Sequence, residues 1–116
     1  MNKYRNIKIT CPITGEKFDS KKEYKRYKEL QLLQKAGEIS SLETQNEFML
    51  IASFKDSDGK TERSVKYIAD FTYWDKKLRK NIIEDVKSDI TRKNPAYIIK
   101  RKLVKKGYPY IIFKEI

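Results

Sequence analysis

The chain has 116 residues, enough for one domain with one modest core, and its 39% hydrophobic and 12% aromatic content marks it as globular rather than disordered. It has no histidine, one cysteine and four glycines, which excludes His-based nucleases, Ser-His and Cys-His hydrolases, zinc knuckles and glycine-rich phosphate loops; carboxylate, lysine, hydroxyl and backbone chemistry is left. The formal net charge of +11 is segregated, with +6 in residues 1–28, −2 in 29–86 and +7 in 87–116, a field that draws in a polyanion such as nucleic acid and presents it to an acidic middle.

Met1-Asn2-Lys3-Tyr4-Arg5 lacks the apolar segment of a secretory signal. No stretch approaches the ~18 apolar residues of a membrane span. The lone Cys11 fits a reducing cytoplasm. A cytoplasmic protein without a membrane partner is therefore expected, as one domain over residues 1–116.

Residues 1–19 are expected to form an N-terminal hairpin or arm, with Ile7-Lys8-Ile9 turning near Thr14-Gly15 to reach Phe18. Ser20-Lys21-Lys22-Glu23 is a capping-box pattern that opens a helix running to about Ala36. Tyr24, Tyr27, Leu30 and Leu33 or Gln34 share one face of it, and Gly37 is its C-terminal cap. Glu47 to Phe54 reads as a strand. Asp56-Ser57-Asp58-Gly59-Lys60 resembles the start of a calcium loop but lacks the later bidentate Glu, so it reads as a hairpin turn.

Arg63 to Tyr73 forms the next strand, with Val65, Tyr67, Ala69, Phe71 and Tyr73 expected on one face. A turn at Asp75-Lys76-Lys77 leads to a third strand, Asn81 to Lys87. Asn94-Pro95 is an N-cap followed by proline at the first helical position. In the helix it opens, Ala96, Ile99 and Leu103 line the expected core face, and Lys100, Arg101, Lys102, Lys105 and Lys106 crowd the rest. Gly107 ends this helix, and Tyr110-Ile111-Ile112-Phe113 closes the chain as a strand. The expected order is α-β-β-β-α-β, an α/β (α+β) fold with a mixed sheet flanked by helices.

One constellation carries chemistry. Asp70 in Tyr67-Ile68-Ala69-Asp70-Phe71 and Asp85 in Ile82-Ile83-Glu84-Asp85-Val86-Lys87 each sit in an apolar, β-prone run. Strand alternation sends Asp85 and Lys87 to one side and Glu84 to the other, which removes Glu84 from the set. If the two runs are neighbouring strands, two carboxylates and an amine converge. Carboxylates among Ile, Tyr and Phe are costly unless a metal or partner compensates. Such a site suits a hard cation such as Mg²⁺ beside a phosphodiester.

Glu23 on the first helix, Asp70 on one strand, Glu84-Asp85-Val86-Lys87 on the next and a basic helix after it together resemble the PD-(D/E)XK nuclease superfamily. More narrowly, with Phe18-Asp19-Ser20-Lys21-Lys22-Glu23, they resemble small phage and prophage proteins of that superfamily, which are similar to Holliday junction resolvases. The resemblance implies a restriction-endonuclease-like core. It implies Asp70, Asp85 and the Val86 carbonyl as metal ligands, with Glu23 as an outer or second-metal ligand. Lys87 would position or help deprotonate the attacking water. Gln45, between the first helix and first strand, reads first as plain loop polarity, with a polar site residue as the alternative. Lys21, Lys22, Lys25, Arg26, Lys100, Arg101, Lys105 and Lys106 would contact the DNA backbone. Ala69 stands where the superfamily name has Pro, and Ser88 where Gly is expected after the lysine.

The resulting expectation is a Mg²⁺-dependent DNA endonuclease, with Mn²⁺ as alternative metal and no organic cofactor. It would be phage or prophage encoded, act on branched or junction DNA in a bacterial host and work as a homodimer. Two competing readings are a non-catalytic nucleic-acid-binding module that keeps the fold and a phage protein that inhibits a host nucleic-acid enzyme.

Overall fold

The computed structural model describes residues 8–116, so Ile7 and the earlier part of the expected arm lie outside the described residues. Strands β1 (Ile9–Thr10) and β2 (Lys17–Phe18) pair antiparallel as a hairpin whose turn uses Gly15 at φ +76°. Ser20 then caps helix α1 (Lys21–Lys35), its side chain accepting from the Glu23 backbone N–H at 3.1 Å. The helix ends in a Schellman turn. Gly37, at φ +83°, donates to the Gln34 carbonyl, and Glu38 donates to that of Leu33.

Strand β3 (Ile39–Ile51) begins eight residues before the expected Glu47. Its first half, Ile39-Ser40-Ser41-Leu42-Glu43-Thr44, is too polar to announce a strand, and its extension is set by pairing with β6 (Val65–Asp75). A hairpin of β4 (Phe54–Lys55) and β5 (Thr61–Glu62) separates the two. Its turn is held by Asp56 Oδ1, which accepts from the N–H groups of Asp58 and Lys60, with Gly59 at φ +77°. Strand β7 (Lys80–Asp85) pairs antiparallel with β6. Helix α2 (Asp89–Arg92), one unforeseen turn capped by Ser88, and α3 (Pro95–Gly107), capped by Asn94, then lead to β8 (Ile112–Glu115). Strand β8 lies parallel to β7, which completes a mixed four-stranded sheet of order β3-β6-β7-β8. The class is α/β. No helix among the described residues is long and apolar enough to cross a membrane.

Adjacent residues of β7 reveal the layering. Ile82 packs with Phe18, Tyr27 and Leu30 beneath α1, whereas Ile83 packs with Tyr97 and Val104 beneath α3. The helices therefore cover opposite faces. Full burial of side chains such as Leu30 and Phe71 contributes about 1.5–3 kcal/mol each.

Two facial expectations are corrected. The buried stripe of α3 is Tyr97 and Val104, with Arg101 on the turn between; Ile99 is 58% exposed and Ala96 is exposed. Its apolar residues define two overlapping stripes, and packing against β6 and β8 selects the one carrying the tyrosine. The run from Tyr67 to Tyr73 also does not share one face: Tyr67 and Ala69 join the α3 core, while Phe71 and Tyr73 join the α1 core. The break falls at Asp70, and its place on β3 is Gln45, whose φ of +54° interrupts the ladder between Asn46↔Ala69 and Thr44↔Phe71.

Glu84 is wholly buried on the α1 side, where Arg26 grips both its oxygens at 2.6 and 2.7 Å and Tyr73 donates to it. Arg26 is held above its ordinary pKa by the Glu84 hydrogen bond against the cost of its own burial. The assignment of Arg26 to DNA contact is thus corrected: its guanidinium is committed to the core. Arg26→Ala would strand an unpaired buried carboxylate and lower unfolding free energy by about 3–5 kcal/mol. Urea denaturation measures this loss, and Arg26→Ala/Glu84→Gln should recover most of it.

Candidate active site

The carboxyl end of β7 is where the sheet comes apart. The β6–β7 ladder starts at Phe71↔Glu84, so the β7-facing edge of Val65–Asp70 has no strand partner among the described residues. The N-terminal turns of α1 and α3 flank this opening, the position at which open α/β sheets hold ligands.

Asp85, 0% exposed, and Asp70, 8% exposed, meet there. Asp70 Oδ2 accepts from the Val86 N–H at 2.8 Å, which fixes that carboxyl over the end of β7. Asp85 Oδ2 accepts from the Tyr67 hydroxyl. Its Oδ1 lies 3.2 Å from Lys87 Nζ without hydrogen-bond alignment and, among the described residues, is left unsatisfied. Burial first, then the neighbouring Asp85 carboxylate, push the Asp70 carboxyl up to about 8. Burial opposes the Lys87 ammonium, but the Asp70 and Asp85 charges outweigh it and raise its pKa. Lys87 is therefore a cation at neutral pH. It lies beyond the last residue of β7 and still falls on the Asp85 side.

Glu23 is 5% exposed and approaches from α1. Burial first, then the charge of Asp19, raise its pKa; Lys87 lowers it and Asp85 raises it further. Gln45 belongs to β3 rather than a loop, and its amide donates to Glu23 Oε1 at 3.4 Å. Among the described residues no group of three or more Asp, Glu or Cys is arranged to hold a metal. The donor set is two carboxylates, with the Val86 backbone held against Asp70 through its N–H. That set suits Mg²⁺, which keeps several waters and takes one or two carboxylates plus a phosphate. The unsatisfied Asp85 oxygen and the surplus of buried acid over one lysine are what a divalent cation would compensate.

The basic residues divide. Lys22 donates to the Lys87 carbonyl at 3.4 Å, and exposed Lys21 and Lys25 neighbour it on α1. Lys100 lines a cleft of about 320 Å³ together with Lys87 and Lys66. Arg101 is corrected: it bonds Glu115 at 3.1 Å, joining Tyr97 and Arg92 around that carboxylate, and so ties α3 to β8. Lys105 and Lys106 stand toward the other end of α3, about 8–9 Å along the axis beyond Lys100.

Tyr67 and Lys66 escaped the sequence. Tyr67 and Asp70 are three positions apart, and regular alternation would put them on opposite faces. Only the irregularity at Asp70 brings the hydroxyl to Asp85.

No curated protein and no solved structure matches the chain. Residues 1–115 match the family described as a protein of unknown function, DUF1064, and the chain belongs to that family.

Proposed function

We propose that the protein is a metal-dependent DNA endonuclease. The observation that carries this reading is the buried Asp70–Asp85 pair, with the Lys87 ammonium against it, at the mouth of a lysine-lined cleft. A binding module gains nothing from buried acids facing phosphates, and a structural acid pair does not need an opening.

In this reading Asp70, Asp85 and the Val86 carbonyl hold Mg²⁺ or Mn²⁺. When bound, the metal polarises the scissile phosphate and acidifies water. Tyr67 holds the Asp85 carboxylate in place, and the Val86 N–H does the same for Asp70. Lys87, being charged, orients water and offsets the negative charge that grows on the phosphorane-like transition state. Glu23, steered by Gln45, orders solvent on the α1 side or takes a second ion. Lys21, Lys22, Lys25 and Lys100 position the backbone without reading sequence. Arg26 and Arg101 build the scaffold.

Action on branched DNA as a homodimer, in the cytoplasm of a bacterial host and from a phage or prophage gene, extends the same proposal. The single buried, free Cys11 is in keeping with a reducing compartment.

Linear, supercoiled and four-way-junction DNA incubated with protein and Mg²⁺, Mn²⁺ or EDTA gives the test. Cleavage with either metal and none in EDTA is expected. Tight, salt-sensitive binding without cleavage under any metal would instead leave a binding module, and neither binding nor cleavage would leave the inhibitor reading.

A further inference from the structure

A cleft lies beside the carboxylates. It runs between the unpaired edge of β6 and the first turns of α3, with Lys87 at its inner end. We propose that it is a phosphate subsite, in which Lys66 and Lys100 grip the phosphodiester adjacent to the one that is cut. This inference rests on the endonuclease reading and adds which backbone phosphate is held, and where.

Charge is the first argument. Lys66, Lys87 and Lys100 are the charged lining residues, and no acid among the described residues lines the cleft. Glu47 reaches Lys66 at 3.5 Å, but both side chains are about half exposed, so this pair is weak and readily exchanged for a phosphate.

Size is the second. About 320 Å³ lies at the small end of ligand sites, which begin near ~300 Å³. It suits a sugar-phosphate unit, not a duplex.

Backbone polarity is the third. Along the cleft the β7-facing edge of β6 has no strand partner among the described residues, and the first turn of α3 brings the positive end of its dipole. Asn94 already occupies the Ala96 and Tyr97 amides, so the helix acts through its field.

The aromatic walls argue against base recognition. Tyr67 and Tyr97 are buried, and their hydroxyls are committed to Asp85 and Glu115. Half-exposed Ile68 offers an apolar contact for a sugar. Lys87 joins the two sites, with Nζ 3.2 Å from Asp85 Oδ1 and 5.8 Å from the Tyr97 ring centre. A phosphate in the cleft is thus one lysine away from the carboxylate pair.

The experiment compares Lys66→Gln/Lys100→Gln with a charge-matched control, Lys76→Gln/Lys77→Gln. The control lysines are exposed in the β6–β7 turn, about 20 Å along β6 from Asp70. Duplex affinity is measured by fluorescence anisotropy in EDTA across a salt series, and cleavage is measured separately in Mg²⁺. The cleft variant should bind at least tenfold more weakly than the control, with a log-log salt slope smaller by about 0.9, the value for the one phosphate that the two lysines share. Equal losses in both variants, or an unchanged slope in the cleft variant, overturns the subsite. Cleavage by the wild type with no cleft effect sinks the subsite and leaves the nuclease standing. A cleft-specific binding loss in a protein that never cleaves does the reverse.

Discussion

Asp85→Asn should lower the cleavage rate on the order of 10³-fold while tightening DNA binding in EDTA. The first effect follows from losing one of two carboxylates: metal stabilisation of transition-state charge is worth several kcal/mol, and each 1.36 kcal/mol is tenfold in rate, so about 10³-fold is the natural scale. The second follows from sign, because removing a negative charge beside the phosphate path reduces repulsion. Lys87→Ala should lose a comparable factor, about 10²–10³, as a missing preorganised donor does. Its binding in EDTA should weaken rather than tighten. Opposite shifts in affinity with parallel losses in rate are the signature of a catalytic set. A structural pair would shift affinity through charge but leave the rate unchanged, and variants cutting within tenfold of wild type would remove Asp85 and Lys87 from the chemistry. Rates from single-turnover gels and affinities from anisotropy decide it.

Local signals in the sequence carried the frame and missed its irregularities. Ser20, Gly37, Asn94 and Gly59 each announce a structure whose cause lies within a few residues: a cap, a left-handed turn or a hairpin. The first half of β3 shows no such signal, because Ser40, Ser41 and Thr44 extend only by pairing with β6. The change of face at Asp70 is of the same kind. Gln45 on the neighbouring strand interrupts the ladder, and no period read along β6 alone can show it. That irregularity places Tyr67 against Asp85, so the least regular point of the sheet is also where the candidate site forms. Charge was legible as a total but not in its commitments. Arg26 and Arg101 look like phosphate contacts in a basic helix, yet both close onto acids supplied by distant strands, Glu84 and Glu115.

Asp70→Asn should make the metal-free protein more stable at pH 8 while abolishing cleavage. Burial and Asp85 raise the Asp70 carboxyl from its ordinary 3.8 to about 8. Below about pH 4 this group is protonated in folded and unfolded chains alike and adds no pH dependence. Between about 4 and 8 the folded chain keeps a proton that the unfolded chain releases, so stability falls as pH rises. Above about 8 both are ionised and the full cost is present. At 1.36 kcal/mol per pK unit this cost has a ceiling near 5–6 kcal/mol, with the favourable Lys87 charge already included. Asparagine keeps the shape, can accept from the Val86 N–H through its amide oxygen, and can offer Asp85 an N–H in place of a charge. Wild-type melting temperature should therefore decline from pH 5 to pH 8, and that of Asp70→Asn should stay flat and end several degrees higher. Mg²⁺ at pH 8 should raise the wild type through linkage and leave the variant unmoved. A flat wild-type profile, or a variant less stable at pH 8, would show that the pair is held by structure alone. The opposite result would identify Asp70 as a residue kept at a stability cost, which is the usual mark of a group retained for chemistry rather than for the fold.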